Sequence, residues 1–128
     1  MKKILLVLLT VILTASFAAA QTKVNRIALT SGIENREPLA PVAEIVEGTE
    51  DLVCFTEIQT NEYPTEITHI WIYNQNIEAE VKLHVGSPKW RSYSTKNIPL
   101  GKAGAWKVEI YSQDGKLIDT VDFTVNEQ

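Results

Sequence analysis

The chain has 128 residues, 12 basic against 16 acidic side chains, a single cysteine and 45 % hydrophobic residues. That length holds one core of ordinary size and no second domain. The acidic balance, with basic residues scattered singly among carboxylates, argues against nucleic acid, anionic lipid surfaces and acidic polysaccharides as partners.

Lys2 and Lys3 precede an apolar run from Ile4 to Phe17, and Ala18-Ala19-Ala20 follows it. Positive charge, a short apolar segment and small residues at the exit are the pattern of a secretory signal peptide, cleaved after Ala20. The run is too short to favour a retained membrane anchor. Ala20 and Gln21 stand where a lipoprotein would need its cysteine, so neither a lipid anchor nor stable membrane insertion is expected after cleavage. The expected organisation is residues 1–20 as leader and residues 21–128 as one domain, exported to the periplasm or beyond. Loss of the two leader lysines leaves 10 basic residues against 16 acidic, a net charge of about −6.

Seven short runs rich in Val, Ile, Thr and aromatics follow: residues 24–30, 52–59, 66–74, 77–85, 90–98, 105–112 and 116–125. Between the first two, residues 40–47 carry Val42, Ile45 and Val46 after Pro38 and Pro41, which fits an edge strand or an extended lead-in. Cys54 lies in Leu52-Val53-Cys54-Phe55 and reads as a small buried hydrophobe. One cysteine cannot form an internal disulfide, so apolar packing has to hold the domain together.

In the third run His69, Trp71 and Tyr73 share one face and Thr68, Ile70 and Ile72 the other. A sandwich whose central strand buries a Trp puts Trp71 in the core and His69 at the rim. The opposite assignment leaves an exposed polar-aromatic stripe. Asn74 to Asn76 reads as a tight hairpin turn, after which Ile77, Ala79, Val81, Leu83 and Val85 alternate inward and Glu78, Glu80, Lys82 and His84 outward. In the fifth run Trp90, Ser92, Ser94 and Lys96 oppose Arg91, Tyr93, Thr95 and Asn97. An aromatic ring supplies contact area and a cation supplies direction, so a face of this kind suits a sugar, a peptide carboxylate or a protein surface. The bland alternative is that Trp90 plugs the core while Arg91 or Lys96 pairs with a carboxylate. In the sixth run Trp106, Val108 and Ile110 face inward, Asp114-Gly115 marks a two-residue type I′ turn, and Leu117, Val121, Phe123 and Val125 continue the buried set.

Several blocks together resemble the bacterial family DUF2914. They are Arg26 to Ile33 with Arg36-Glu37-Pro38, Cys54 to Ile58, Thr68 to Asn74, Val85 to Asn97, Gly104 to Glu109 and Asp114 to Leu117. The resemblance extends over nearly all of residues 21–128. It implies a small extracytoplasmic β-domain, found alone behind a signal peptide or attached to membrane-anchored proteins, and it carries no catalytic residue.

Catalytic and metal signals are weak. His69 and His84 lack any paired spacing, so no metal or other cofactor is expected. Tyr93, not serine, stands three before Lys96, no Gly-x-Ser-x-Gly elbow occurs, and Glu78 with Glu80 reads as a solvated face. A small hydrolase or metal-dependent enzyme is therefore the least favoured reading. The sequence points to an all-β, immunoglobulin-like antiparallel sandwich of about seven strands that acts as a non-catalytic binding module of the bacterial cell envelope. Its expected partner is a protein, peptide or carbohydrate, and its expected binding residues are Trp90, Arg91, Tyr93, Lys96, His69 and Tyr73. A structural adaptor in an envelope complex is the alternative.

Overall fold

The computed structural model describes residues 21–128, so the leader assigned to residues 1–20 lies outside the described residues. Each of the seven apolar-patterned runs forms a strand: β1 (Thr22–Thr30), β5 (Leu52–Thr60), β6 (Thr65–Tyr73), β7 (Asn76–Val85), β8 (Lys89–Lys96), β9 (Gly104–Ser112) and β10 (Leu117–Asn126). Three two-residue strands, β2 (Ile33–Glu34), β3 (Glu37–Pro38) and β4 (Ile45–Val46), raise the number to ten rather than seven. They are too short for periodicity to reveal.

One layer has the order β1-β5-β8 and the other β4-β10-β9-β6-β7, while β2 and β3 form a separate small hairpin. The sandwich is not wholly antiparallel, because β4 pairs parallel with β10, Ile45 against Val125. The chain leaves β1 in the first layer and crosses to the edge of the second. The Thr30 hydroxyl donates to the Leu39 carbonyl at 3.0 Å across that passage, and Thr30 bridges Pro41. Residues 40–47 thus contain the edge strand their pattern suggested.

The core lies between the layers, where Trp71, Ile67, Ile58, Leu52, Ile98, Val108, Ile110 and Val85 are all 1 % exposed or less. Trp71 meets Phe123 edge to face, with ring centroids 6.3 Å apart. Cys54 is buried and unpaired among these side chains, and its thiol is pushed up to about 12, by burial first and by Asp119 second.

Turn chemistry departs from expectation at one hairpin. Asn74 and Gln75, at φ 46° and 72°, join β6 to β7 directly, and this two-residue loop has the doubly positive backbone that a type I′ turn demands. At Asp114-Gly115 only Gly115 is positive, at 82°, and the Gly115 amide donates to the Ser112 carbonyl at 3.0 Å. That is a three-residue loop, Gln113 to Gly115, ending in a left-handed glycine, not the expected type I′ turn.

Two irregularities correct the inward sets. A register shift beside Ile72 leaves Ile77 64 % exposed, and another between Leu117 and Asp119 leaves Leu117 exposed and turns Ile118 to the core. Each extra residue at a bulge reverses the facing of everything on one side of it. The remaining expectations for β9 hold, with Trp106, Val108 and Ile110 buried.

Candidate interaction site

β5 is buried on both faces from Leu52 to Ile58. Its inner set meets the other layer. Its outer set lies beneath the β2–β3 hairpin and the long side chains of β1 and β8. Asn35 and Arg36, at φ 52° and 63°, form the hairpin's two-residue loop between the paired Glu34 and Glu37, and the Leu39 amide closes it onto the Gly32 carbonyl at 3.0 Å.

Four charged residues hold the hairpin down. Arg26 donates to Glu37 through both terminal nitrogens, at 2.8 and 3.2 Å, and to Glu57 at 3.0 Å. Arg91 reaches Glu37 at 3.1 Å and Glu57 at 3.7 Å. Both carboxyls are held below their ordinary range, in each case chiefly by the hydrogen bond from Arg26, and the Arg26 guanidinium is correspondingly raised. The Arg26 guanidinium also lies over the Phe55 ring, 5.2 Å from its centroid.

Beside this latch an open groove of about 750 Å³ runs between the hairpin tip and β8, lined in part by Ile33, Arg36, Phe55, Lys89, Arg91 and Tyr93. Its lining holds three cations and no carboxylate. Tyr93 is 52 % exposed, and Arg36 makes no ion pair among the described residues. An apolar floor, an exposed ring and unneutralised positive charge can grip an anionic, partly apolar partner.

The six residues expected to bind do not converge. Arg91 and Tyr93 face this groove. Trp90, although at the groove's end, packs against the core and meets His84 edge to face at 5.8 Å. Lys96 lies over Trp106, 6.0 Å from its ring, and donates to the Asn97 carbonyl. Tyr73 packs on Trp106 with centroids 5.1 Å apart and donates its hydroxyl to the Ala103 carbonyl at 2.9 Å.

His69 is neither at the rim nor exposed. It is wholly enclosed between the layers, with Nδ1 2.7 Å from Ser94 Oγ and Nε2 3.0 Å from Thr56 Oγ1. Trp71 Nε1 donates to the same Ser94 oxygen at 3.0 Å, and Thr56 continues to Ser92 Oγ at 3.0 Å. A proton on Nε2 satisfies the whole chain: Ser94 donates to Nδ1, Nε2 donates to Thr56, and Thr56 donates to Ser92. Burial depresses the imidazole to about 4. The histidine therefore ties the two layers together as a neutral ring.

Sequence reasoning missed Arg36, Phe55 and Lys89. The Asn35-Arg36 dipeptide between two glutamates was the available signal for a small hairpin, since Asn accepts a left-handed backbone. Nothing in a run as apolar as Leu52 to Phe55 marks which ring floors an open groove.

A family model described as a protein of unknown function, DUF2914, matches residues 64–125, the stretch from β6 into β10. The match covers 62 of the 128 residues, just under half of the chain. The resemblance expected over nearly all of residues 21–128 is thus found only from residue 64 to 125; the Arg26 to Ile33 and Cys54 to Ile58 blocks precede the match, and so do Arg36 and Phe55 of the groove. Lys89, Arg91 and Tyr93 fall inside it. Among solved structures, an immunoglobulin-like protein from Pseudomonas aeruginosa superposes with a TM-score of 0.52 at 15 % identity, over 86 % of this chain and 100 % of that one. At that identity the likeness shows the fold alone, and the fold is immunoglobulin-like. No curated protein matches the sequence.

Proposed function

We propose that this chain is an exported, non-catalytic binding module of the cell envelope, and that it engages its partner through the outer face of the β1-β5-β8 sheet. The groove beneath the β2–β3 hairpin carries the reading. It combines an exposed Tyr93, an apolar floor at Phe55 and the cations Arg36, Lys89 and Arg91, on a domain whose net charge is about −6. A cationic, aromatic-bearing recess on an otherwise acidic surface concentrates both steering charge and contact area in one place. Export rests on the leader-like first twenty residues. A protein or peptide suits an open recess better than a small solute, which needs an enclosed pocket that buries most of its surface.

The test is retention from envelope extract by the immobilised protein, comparing the wild type with an Arg36→Ala, Tyr93→Ala double variant. Both side chains are exposed and make no bond that holds the fold, so the melting temperature should stay within a few degrees. Loss of the retained partner with the fold intact supports the surface. Undiminished retention by the variant removes it.

A further inference from the structure

Building on the groove as the interaction surface, we infer that the open edge of β8 takes an extended acidic peptide as a fourth strand of the β1-β5-β8 sheet. Four strands terminate the two layers. β4 is two residues long, and β1 and β7 each carry a register shift that interrupts a regular ladder. β8 pairs with β5 over eight residues without a shift, from Leu52 against Lys96 to Gln59 against Lys89. It is the one terminal strand among the described residues that offers a long, regular template.

The hydrogen-bonding phase of β8 decides what the template presents. The Thr60 amide donates to the Pro88 carbonyl at 2.9 Å, which makes Thr60 and Pro88 a hydrogen-bonded pair. Alternation along an antiparallel ladder then assigns Ile58 with Trp90, Thr56 with Ser92 and Cys54 with Ser94 to the same class. The amide and carbonyl groups of Lys89, Arg91, Tyr93 and Thr95 consequently point away from β5. The Ser87 hydroxyl donates to the Lys89 carbonyl at 2.9 Å, as that phase requires. With the Lys89 carbonyl taken, Arg91, Tyr93 and Thr95 offer both backbone groups at the edge and outward side chains on one face, and two of them, Arg91 and Tyr93, line the groove.

Charge selects the occupant. β8 carries Lys89, Arg91 and Lys96 and no carboxylate; Lys89 and Arg91 share Glu37 and Glu57 with Arg26, three cations to two carboxylates, and Arg36 across the groove makes no ion pair among the described residues. A second copy of β8 would set like charges against each other, which directly opposed strand residues do not tolerate well. An extended segment with Glu or Asp at alternate positions places those carboxylates on the groove face, opposite Lys89 and Arg91 and within reach of Arg36.

The probe is a capped ten-residue peptide alternating Glu with Val and Thr, and its analogue with Lys for Glu, titrated into the full chain by fluorescence anisotropy and followed by amide exchange. The Glu peptide should bind at least tenfold more tightly than the Lys peptide, weaken with salt, and protect the amides of Arg91, Tyr93 and Thr95. Thr95→Pro removes one edge donor that β5 does not use, and should weaken binding at least tenfold without unfolding. Should that variant unfold, Arg36→Gln, at an exposed position, should still lower affinity several-fold. Equal binding of both peptides, no binding of either, or protection confined to β7 overturns the inference. If the envelope partner is retained by the wild type and lost from the Arg36, Tyr93 variant while neither peptide binds, the surface stands and its acidic-strand occupant falls.

Discussion

His69 is the side chain whose removal says most about how this sandwich is held together. It spans the layers through Ser94 on one ring nitrogen and Thr56 on the other, with no water contact of its own. Folded, it titrates near 4; unfolded, near 6.5. The folded state therefore binds fewer protons, so the contribution is fully present above pH 6.5 and is lost as the pH falls towards 4. One pKa unit corresponds to about 1.4 kcal/mol, so roughly 3 kcal/mol is at stake across that window. Melting curves between pH 7.5 and 4.5 should show the wild type losing stability, and a His69→Gln variant should start lower and fall less steeply. Parallel slopes would remove His69 from the cause. Trp71→Phe tests the neighbouring bond: it keeps most of the ring burial but leaves Ser94 short of a donor. A loss of about 1–3 kcal/mol in denaturant unfolding is expected, against about 3–5 kcal/mol for Trp71→Ala.

Among the elements, the β2–β3 hairpin is the one tied to its sheet by ion pairs, Glu37 with Arg26 and Arg91. Exposed ion pairs contribute only about 0–1 kcal/mol each to stability, so Glu37→Gln should barely move the melting temperature. It should instead free the hairpin locally, and limited trypsin digestion after Arg36 should speed up several-fold. Unchanged cleavage would mean that Ile33 and Pro38 suffice to seat it. The β6–β7 hairpin offers a stabilising counterpart. Gln75 sits at φ 72°, where a non-glycine residue is strained, so Gln75→Gly should gain about 0.5–1 kcal/mol in chemical denaturation. The seven long strands were legible because alternation over eight to ten residues is a strong signal. The bulges beside Ile72 and Leu117 were not: a one-residue slip leaves composition unchanged while reversing which side chains face in. The groove was half legible for a related reason. Arg91 and Tyr93 alternate visibly on β8, whereas Arg36 reaches them only because a two-residue hairpin folds across a neighbouring sheet.

At the scale of the molecule, two layers pack without a crosslink, as the lone cysteine implied. Cys54 is enclosed, and its thiol is held protonated well above neutral pH. It should resist a disulfide thiol reagent in the native state and react at the rate of global unfolding, with reducing agents leaving the melting temperature unchanged. Faster labelling would reveal local opening of β5. The immunoglobulin-like arrangement was legible from strand number and from Trp71, because a central strand bearing a buried Trp fits few other sheets. The parallel β4–β10 pairing was not, since two residues carry no period.

That pairing fixes a sequence of events. Ile45 and Val46 lie against Val125 and Asn126, and the Glu47 amide donates to the Asn126 carbonyl. A polypeptide made from its N-terminus onward therefore holds this early crossing segment unpaired until residues 125 and 126 have been made. The β4 margin of the larger sheet is thus closed only after β10 has been made, and a nascent chain halted before β10 would expose β9 along that margin.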